Sequence, residues 1–403
     1  MDSIIDLLAS QEAWEVFLSD RLMKGRFNWT AFDEADTFVG TEAYKPLAEK
    51  MLAEGPGIPE KKLINKMGTG RKRVVYTYPP DTMRMLKFIA FLLYRYDDRL
   101  PPNCYSFRRY KTPHDAVRHI VKSLGGKQMW AYKLDIHDYF NSIPIPLLLP
   151  VLEDFLHDDR PLFEFFRNML SDDRALVDGT VVRESRGIMA GTPTAPFLAD
   201  IYLAEADRYF ESKGVLYARY SDDIILFAPD EGSLEEHKRA LLGFLDKYGL
   251  EVNPDKERTY GPGEAFDFLG FKCLDGRIDI ADSTKRKMKG KISRKARSLM
   301  RARSIRGLGA EAAMASLIRH FNFKFFETEE DPDSLNWTRW FFPLINSVDG
   351  LREIDNYFQQ NLRYLSTGKH SKANYRIRYV TLKRLGYRSL VHEYYLFKEH
   401  NDK

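Results

Sequence analysis

The tetrapeptide Tyr220-Ser-Asp-Asp lies between two β-favouring runs, Val215-Leu-Tyr-Ala-Arg before it and Ile224-Ile-Leu-Phe after it. Two such runs around a short polar break read as a hairpin, here with adjacent acids at its tip. A partner for these acids stands upstream. Lys133-Leu-Asp-Ile-His-Asp-Tyr-Phe-Asn-Ser-Ile puts Asp135 near the end of a hydrophobic strand, where a charge without a counter-ion is costly. If that strand pairs with the hairpin, Asp135, Asp222 and Asp223 converge. Hard oxygen ligands of this kind select Mg²⁺. Two such ions about 4 Å apart suit an in-line displacement at phosphorus. The expected chemistry is nucleotidyl transfer.

Composition sets the class. The 403 residues are 44% hydrophobic and 13% aromatic, with 25 Gly and 19 Pro, which excludes a disordered, collagen-like or low-complexity chain. Net charge is only +4, so binding to nucleic acid must come from uneven placement of cations. Cys104 and Cys273 are far apart and have no CxxC neighbour, which argues against a disulfide framework or a zinc site and for a reducing cytosol. The start lacks a basic, apolar leader pattern, and the stretches from Met85 to Tyr94 and from Ile143 to Leu152 are too short for a bilayer. A soluble cytoplasmic protein with no membrane partner is expected. Neither Gly68-Thr-Gly-Arg nor Gly125-Gly-Lys completes a phosphate loop, and no HExxH pair supports a zinc hydrolase.

Charge is distributed very unevenly. Between Thr284 and Arg306 there are eleven Lys or Arg residues and no acid, in a pattern that predicts a basic helix. Asn361 to Leu390 carries eight Lys or Arg and no acid, interleaved with Tyr364, Tyr375, Tyr379 and Tyr387. Such a mixture suits a groove that holds phosphates and stacks on bases. Candidate nucleic-acid contacts are Lys285, Arg286, Lys289, Arg294, Arg297, Arg301, Arg376 and Lys383.

In chain order, Asp135-Ile-His-Asp-Tyr-Phe-Asn-Ser-Ile, Gly187-Ile-Met-Ala-Gly-Thr-Pro-Thr-Ala-Pro-Phe-Leu-Ala-Asp-Ile-Tyr-Leu, Tyr220-Ser-Asp-Asp, Gly249-Leu-Glu-Val-Asn-Pro-Asp-Lys and Phe268-Leu-Gly-Phe resemble motifs A to E of reverse transcriptases. Arg73-Val-Val-Tyr-Thr-Tyr-Pro and Phe107-Arg-Arg-Tyr-Lys resemble the finger motifs of bacterial members. The resemblance spans roughly residues 60 to 275. It implies an α+β, right-hand polymerase: an N-terminal extension (1–60), fingers (61–128), a palm (129–275, with part of the fingers inserted near 145–185) and a basic, largely helical thumb (276–403).

The resemblance also implies roles. Asp135, Asp222 and Asp223 match the metal-binding carboxylates, and the Ile136 carbonyl would complete a site for two Mg²⁺ ions, with Mn²⁺ as a substitute. Lys256 matches the motif D lysine, a proton donor to departing pyrophosphate. Phe140 falls where the family keeps an aromatic against the sugar, which favours dNTPs. Arg71, Arg73 and Arg108 are the cations for the triphosphate, and Gly187 and Gly191 fit a loop whose backbone approaches the nascent pair. Motif B departs from the family: Ala190 replaces a common Gln, Ala195-Pro196 the usual Ser-Pro, and Asp200 a usual Asn.

That divergent motif B and the C-terminal Ser366-Thr-Gly-Lys and Lys383-Arg-Leu-Gly-Tyr-Arg-Ser-Leu resemble the defence-associated, abortive-infection reverse transcriptases. The implied function is cDNA synthesis on a structured noncoding RNA in antiphage defence. The implied partners are that RNA, its cDNA, dNTPs and a phage factor, with a homo-oligomer as an open assembly state. A retron or group II intron-like enzyme is the alternative, although the retron Asn-Ala-x-x-His and Val-Thr-Gly signatures are not evident and nothing after the thumb suggests an HNH module. An impaired RNA-binding scaffold is the reading from another class, opposed by the presence of all three carboxylates. An RNA polymerase would commonly carry Gly-Asp-Asp at the hairpin. Tyr394 and Tyr395 are conceivable protein primers.

Overall fold

The computed structural model describes residues 3–23, 29–65, 72–184, 187–327, 336–369, 371, 374 and 376–401. The chain divides into two compact units, Met1–Glu264 and Ala265–Lys403. In chain order the strands are β1 (Glu60–Asn65), β2 (Lys72–Thr77), β3 (Trp130–Asp135), β4 (Arg174–Val177), β5 (Thr180–Arg183), β6 (Tyr217–Tyr220), β7 (Asp223–Ala228), β8 (Arg258–Tyr260), β9 (Phe266–Phe268), β10 (Phe271–Leu274) and β11 (Arg277–Ile280).

The first unit holds two four-stranded sheets, ordered β2-β1-β4-β5 and β6-β7-β3-β8. In the second of these every pairing is antiparallel. β7 is apolar and buried from Ile224 to Ala228, as a central strand covered on both faces must be. The helix Glu231–Lys247 packs on β7 and β3 through a stripe of Leu234, Leu241 and Leu245, and the helix Ala204–Ser212 packs on β6.

Of residues 1–60, read from sequence as an extension, the described apolar positions such as Ile4, Leu8, Trp14, Phe38, Tyr44 and Met51 are part of this unit's core. In the helix Gln11–Met23, Trp14, Phe17 and Leu18 fall on one face and are buried. The Trp14 ring lies 4.0 Å from that of Phe88. The buried Asp159 carboxylate accepts the Ile4 N–H (3.0 Å), the Ser3 hydroxyl, the Tyr96 hydroxyl (2.8 Å) and the Leu162 N–H (3.2 Å).

The second unit opens on the sheet β11-β10-β9, so Phe268-Leu-Gly-Phe groups with the C-terminal helices and the division falls before residue 275. The expected basic helix runs from Asp282 to Arg306 and buries Met288, Ile292, Ala296 and Leu299 at helical spacing. It packs against the helices Asp349–Thr367 and Ala310–Phe326. Among the described residues no helix is long and apolar enough to cross a membrane.

Candidate active site

The three acids meet at one end of the β6-β7-β3-β8 sheet. Register sets Asp135 directly opposite Asp223, and side chains opposite each other on antiparallel strands share a face. Tyr220 pairs with Asp223, leaving Ser221 and Asp222 as a two-residue turn. Ser221 has φ +58, a conformation that costs an L-residue free energy and is held only where its surroundings fix it. Ile136 is buried and donates its N–H to the Asp222 carbonyl at 3.0 Å, which ties the end of β3 to the acidic turn.

Two lysines neutralise this cluster. Lys133, two residues before Asp135 on the same face of β3, is the diagonal neighbour of Asp223, and its Nζ lies 3.2 Å from the carboxylate. Lys256 forms an ion pair with Asp135 Oδ2. The segment Asn253-Pro-Asp-Lys builds that contact. Asn253 donates its backbone N–H to the Asp135 carbonyl (2.8 Å) and its Nδ2 to Asp135 Oδ1 (3.3 Å), and the Lys256 N–H returns to the Asn253 carbonyl (3.0 Å). Asn253 and Lys133 were not singled out from sequence. The signal available for Asn253 was an Asn-Pro turn immediately before a lysine.

Burial, then the charge of Asp135, pushes the Asp222 carboxyl up to about 6. Burial raises Asp223 as well, against the pull of Lys133. Among the described residues no group of three His, Cys, Asp or Glu side chains stands arranged as a ready metal cage. The donor set nevertheless fits a hard divalent cation: every candidate donor is oxygen, and repulsion between adjacent carboxylates is what such a cation relieves.

Phe140 and its neighbour Tyr139 divide two duties. Tyr139 is fully buried with its hydroxyl on the Ala199 carbonyl (2.5 Å), whereas Phe140 is half-buried. Phe107, at φ +52, sets its ring 6.2 Å from that of Phe140 and 6.2 Å from that of Tyr220, so it braces both motifs. Sequence reading passed over Phe107 for the arginine beside it.

That arginine requires correction. The Arg108 guanidinium is buried against Asp97 (3.6 Å) and donates to the carbonyls of Pro101 (3.1 Å), Cys104 (3.3 Å) and Asp97. It organises its own loop, with three of its N–H groups engaged by carbonyls there. Arg73 is exposed on β2. Arg71 lies outside the described residues.

Gly191 is also reassigned. At φ +99, a Cβ there would come within 3.2 Å of both the Tyr76 carbonyl and Val75 Cβ, and the Tyr76 N–H donates to the Ala190 carbonyl at 2.7 Å. The close approach that requires glycine is to β2. Gly187, also at φ +99, lies against the Asn141 backbone.

Asp200 is buried, accepts the Ser106 hydroxyl, and lies 3.4 Å from Arg219. Burial outweighs both partners and pushes its carboxyl up to about 7. Between about pH 4, the unfolded value, and pH 7 the folded chain therefore holds a proton that the unfolded chain releases, and stability falls as pH rises. Asp200→Asn removes this dependence. Its melting temperature relative to wild type should climb from pH 5 to pH 7 and then level off; a constant difference would place the raised value elsewhere.

In the second unit the candidate cations separate into two groups. Lys285 pairs with Asp282 (2.7 Å) and Glu353 (2.7 Å), and Lys289 pairs with Glu353 (2.6 Å), all ion pairs within the unit. Arg286, Arg294, Arg297 and Arg301 are exposed and have no acidic partner among the described residues. At about 100° per residue they fall within roughly an 80° arc of one helix. Arg376 and Lys383 are exposed. Tyr387 is buried with its hydroxyl on Asp355 (2.8 Å), which removes it from any stacking surface, and Tyr375 lies outside the described residues. Tyr394 is likewise buried, bonded to the Ile345 carbonyl (2.8 Å), while Tyr395 is exposed.

The family model described as reverse transcriptase (RNA-dependent DNA polymerase) matches residues 59–273. The retron Ec86 reverse transcriptase of Escherichia coli is 26% identical over 106 residues, 25% of this chain and 33% of that protein. The match thus covers about a third of that relative. Two solved structures are similar at low identity. The apo telomerase of Candida tropicalis, truncated from its C-terminal domain, has a TM-score of 0.46 at 16% identity, covering 56% of this chain and 55% of that one. The telomerase of Candida albicans with a TWJ fragment of telomeric RNA has a TM-score of 0.43 at 14% identity, covering 81% and 62%. The α+β, right-hand polymerase class expected from the motifs is the class of the matched family. With paired acids on adjacent strands and a family match across more than half its length, the chain belongs to the reverse transcriptase family.

Proposed function

We propose that the protein is an RNA-directed DNA polymerase that copies a structured noncoding RNA into cDNA in the cytosol, as part of antiphage defence. The observation that carries this reading is the cross-strand pair Asp135–Asp223 beside the Ser221-Asp222 turn, in a chain of this family. Asp135, Asp222 and Asp223, with the Ile136 carbonyl, would hold two Mg²⁺ ions, for which Mn²⁺ could substitute. Bound there, such ions neutralise phosphate charge and favour the alkoxide of an attacking hydroxyl.

The chain's own residues do the rest. Asn253 fixes the Asp135 carboxylate from one side, and the Lys256 ammonium on the other is within reach to give a proton to the leaving group. Phe140, braced by Phe107, is the sugar-facing aromatic that favours dNTPs. Arg73, exposed on β2 beside the exposed Lys72, is available to the triphosphate. Free, buried Cys104 and Cys273 suit the cytosol. The likeness to a retron reverse transcriptase supports a retron-type enzyme as the second reading.

The test is to sequence RNA and DNA that co-purify with wild type and with Asp222→Asn from cells carrying the native locus. One RNA enriched in both, with its complementary DNA only in wild type, is expected. RNA without cDNA in either, with or without phage, would favour the scaffold.

The arginine stripe makes a separate prediction. Replacing Arg286, Arg294, Arg297 and Arg301 by Gln should flatten the slope of log K against log salt for RNA binding by roughly 3, at about 0.7 to 0.9 for each phosphate that is no longer neutralised. An unchanged slope would move the binding surface off this helix.

A further inference from the structure

A fully buried charged cluster lies behind the acidic turn. Its centre is Arg219 in β6, two residues before Ser221 and without exposed surface. The guanidinium donates from Nε to both oxygens of Asp207 (2.9 and 3.1 Å), from Nη2 to the Asp200 carbonyl (2.9 Å), and from Nη1 to the Ser221 carbonyl (3.5 Å). Asp207, also fully buried, accepts the Tyr217 hydroxyl as well (2.9 Å). The Arg219 backbone is engaged too: its N–H donates to the Asn103 carbonyl (3.0 Å) and its carbonyl accepts the Tyr105 N–H (2.9 Å). One residue thereby joins the hairpin to the helices Ala195–Tyr202 and Ala204–Ser212 and to the loop 103–105.

Stability alone is a poor reason to keep such a cluster, because a buried ion pair can often be exchanged for neutral groups of similar shape without loss. A guanidinium differs from an apolar side chain in offering several donors in one rigid plane. Here one donor points at the carbonyl of Ser221, the residue held at φ +58. Nothing in the reaction proposed above uses Arg219, and it is walled off from solvent.

We propose that Arg219 is a positioning residue: anchored by Asp207, it holds the Ser221 carbonyl and thereby the aim of Asp222. The inference rests on the polymerase reading of the acidic turn.

Two variants test it. Arg219→Lys keeps the charge but cannot reach Asp207, the Asp200 carbonyl and the Ser221 carbonyl together. The double variant Arg219→Met with Asp207→Asn removes both charges of that pair and leaves an acceptor for the Tyr217 hydroxyl, so it should melt above Arg219→Met alone, which strands the Asp207 charge. Three quantities are read: melting temperature, kcat and KM for a dNTP on a primed RNA template, and hydrogen exchange of residues 217–226 in protein without nucleotide or metal.

In both variants kcat should fall at least about tenfold with KM within about twofold of wild type. Exchange should quicken at the turn and stay unchanged in the helix Glu231–Lys247. A folded double variant with wild-type kcat and wild-type exchange would overturn the proposal. So would failure of both variants to fold, since the cluster would then be a stability element. If wild type itself incorporates nothing while the variants still loosen the turn, the positioning geometry stands and the polymerase reading falls.

Discussion

Asp222→Asn is expected to reduce deoxynucleotide incorporation by at least about 10³-fold, roughly 4 kcal/mol of transition-state stabilisation, while the fold is retained. The size follows from the charge that is lost. Asp222 sits at the tip of a two-residue turn, beside the pair of carboxylates on β3 and β7. The amide keeps the shape of the side chain and gives up the negative charge that Asp222 and its two neighbouring acids together offer a cation. Stability should move the other way. Because burial and Asp135 raise the Asp222 carboxyl to about 6, its ionised form costs the folded state free energy at neutral pH. The variant should melt at or slightly above the wild-type temperature. Undiminished incorporation would remove Asp222 from the reaction, and a large drop in melting temperature would make its role structural.

Gly187→Ala should be the most damaging small substitution in the first unit. At φ +99, an added Cβ would stand 2.8 Å from Asn141 Cα and 3.0 Å from the Asn141 carbonyl oxygen, both backbone atoms that cannot swing away. The Gly187 N–H donates to the Ile143 carbonyl (3.0 Å) and the Ile188 N–H to the Phe140 carbonyl (2.8 Å), so relief of the clash must pull this loop off the segment carrying Phe140. A loss of about 2–4 kcal/mol follows from conformational strain plus displacement, which lowers the melting temperature by roughly 4–7 °C in a unit of this size. Gly179→Ala is the control. It has φ +80 with nothing within 4 Å of an added Cβ, so it should show conformational strain alone, about 1 kcal/mol. Equal losses at the two positions would mean that the approach to Asn141 carries no weight.

The hairpin, its acids and the strand opposite were legible because each rests on local pattern: apolar runs of strand length, a polar break, and an acid at a strand end. The basic helix was legible for the same reason. What sequence could not supply was the identity of each cation's neighbour. Lys285 and Glu353 are 68 positions apart and meet only when two helices pack, whereas Arg286, adjacent in sequence, is exposed and takes no part in that ion pair. Arg108 and Phe107 exchange their expected importance because the backbone at Phe107, at φ +52, turns one side chain toward Phe140 and the other among loop carbonyls. Residues 1–60 looked appended because their apolar positions are short and scattered. Their burial depends on surfaces such as Phe88, offered by a distant helix.

The helix Asp282–Arg306 has a further consequence, concerning length. The exposed arginines Arg286, Arg294, Arg297 and Arg301 lie along one rigid rod, and from Arg286 to Arg301 the rod advances about 22 Å at 1.5 Å per residue. At roughly 3.4 Å per nucleotide along one strand, that is a footprint of about six or seven nucleotides. A strand shorter than this cannot meet all four guanidinium groups at once. On the proposed function, affinity for a nucleic-acid strand should therefore rise in steps with its length and level off once the strand outgrows its ruler.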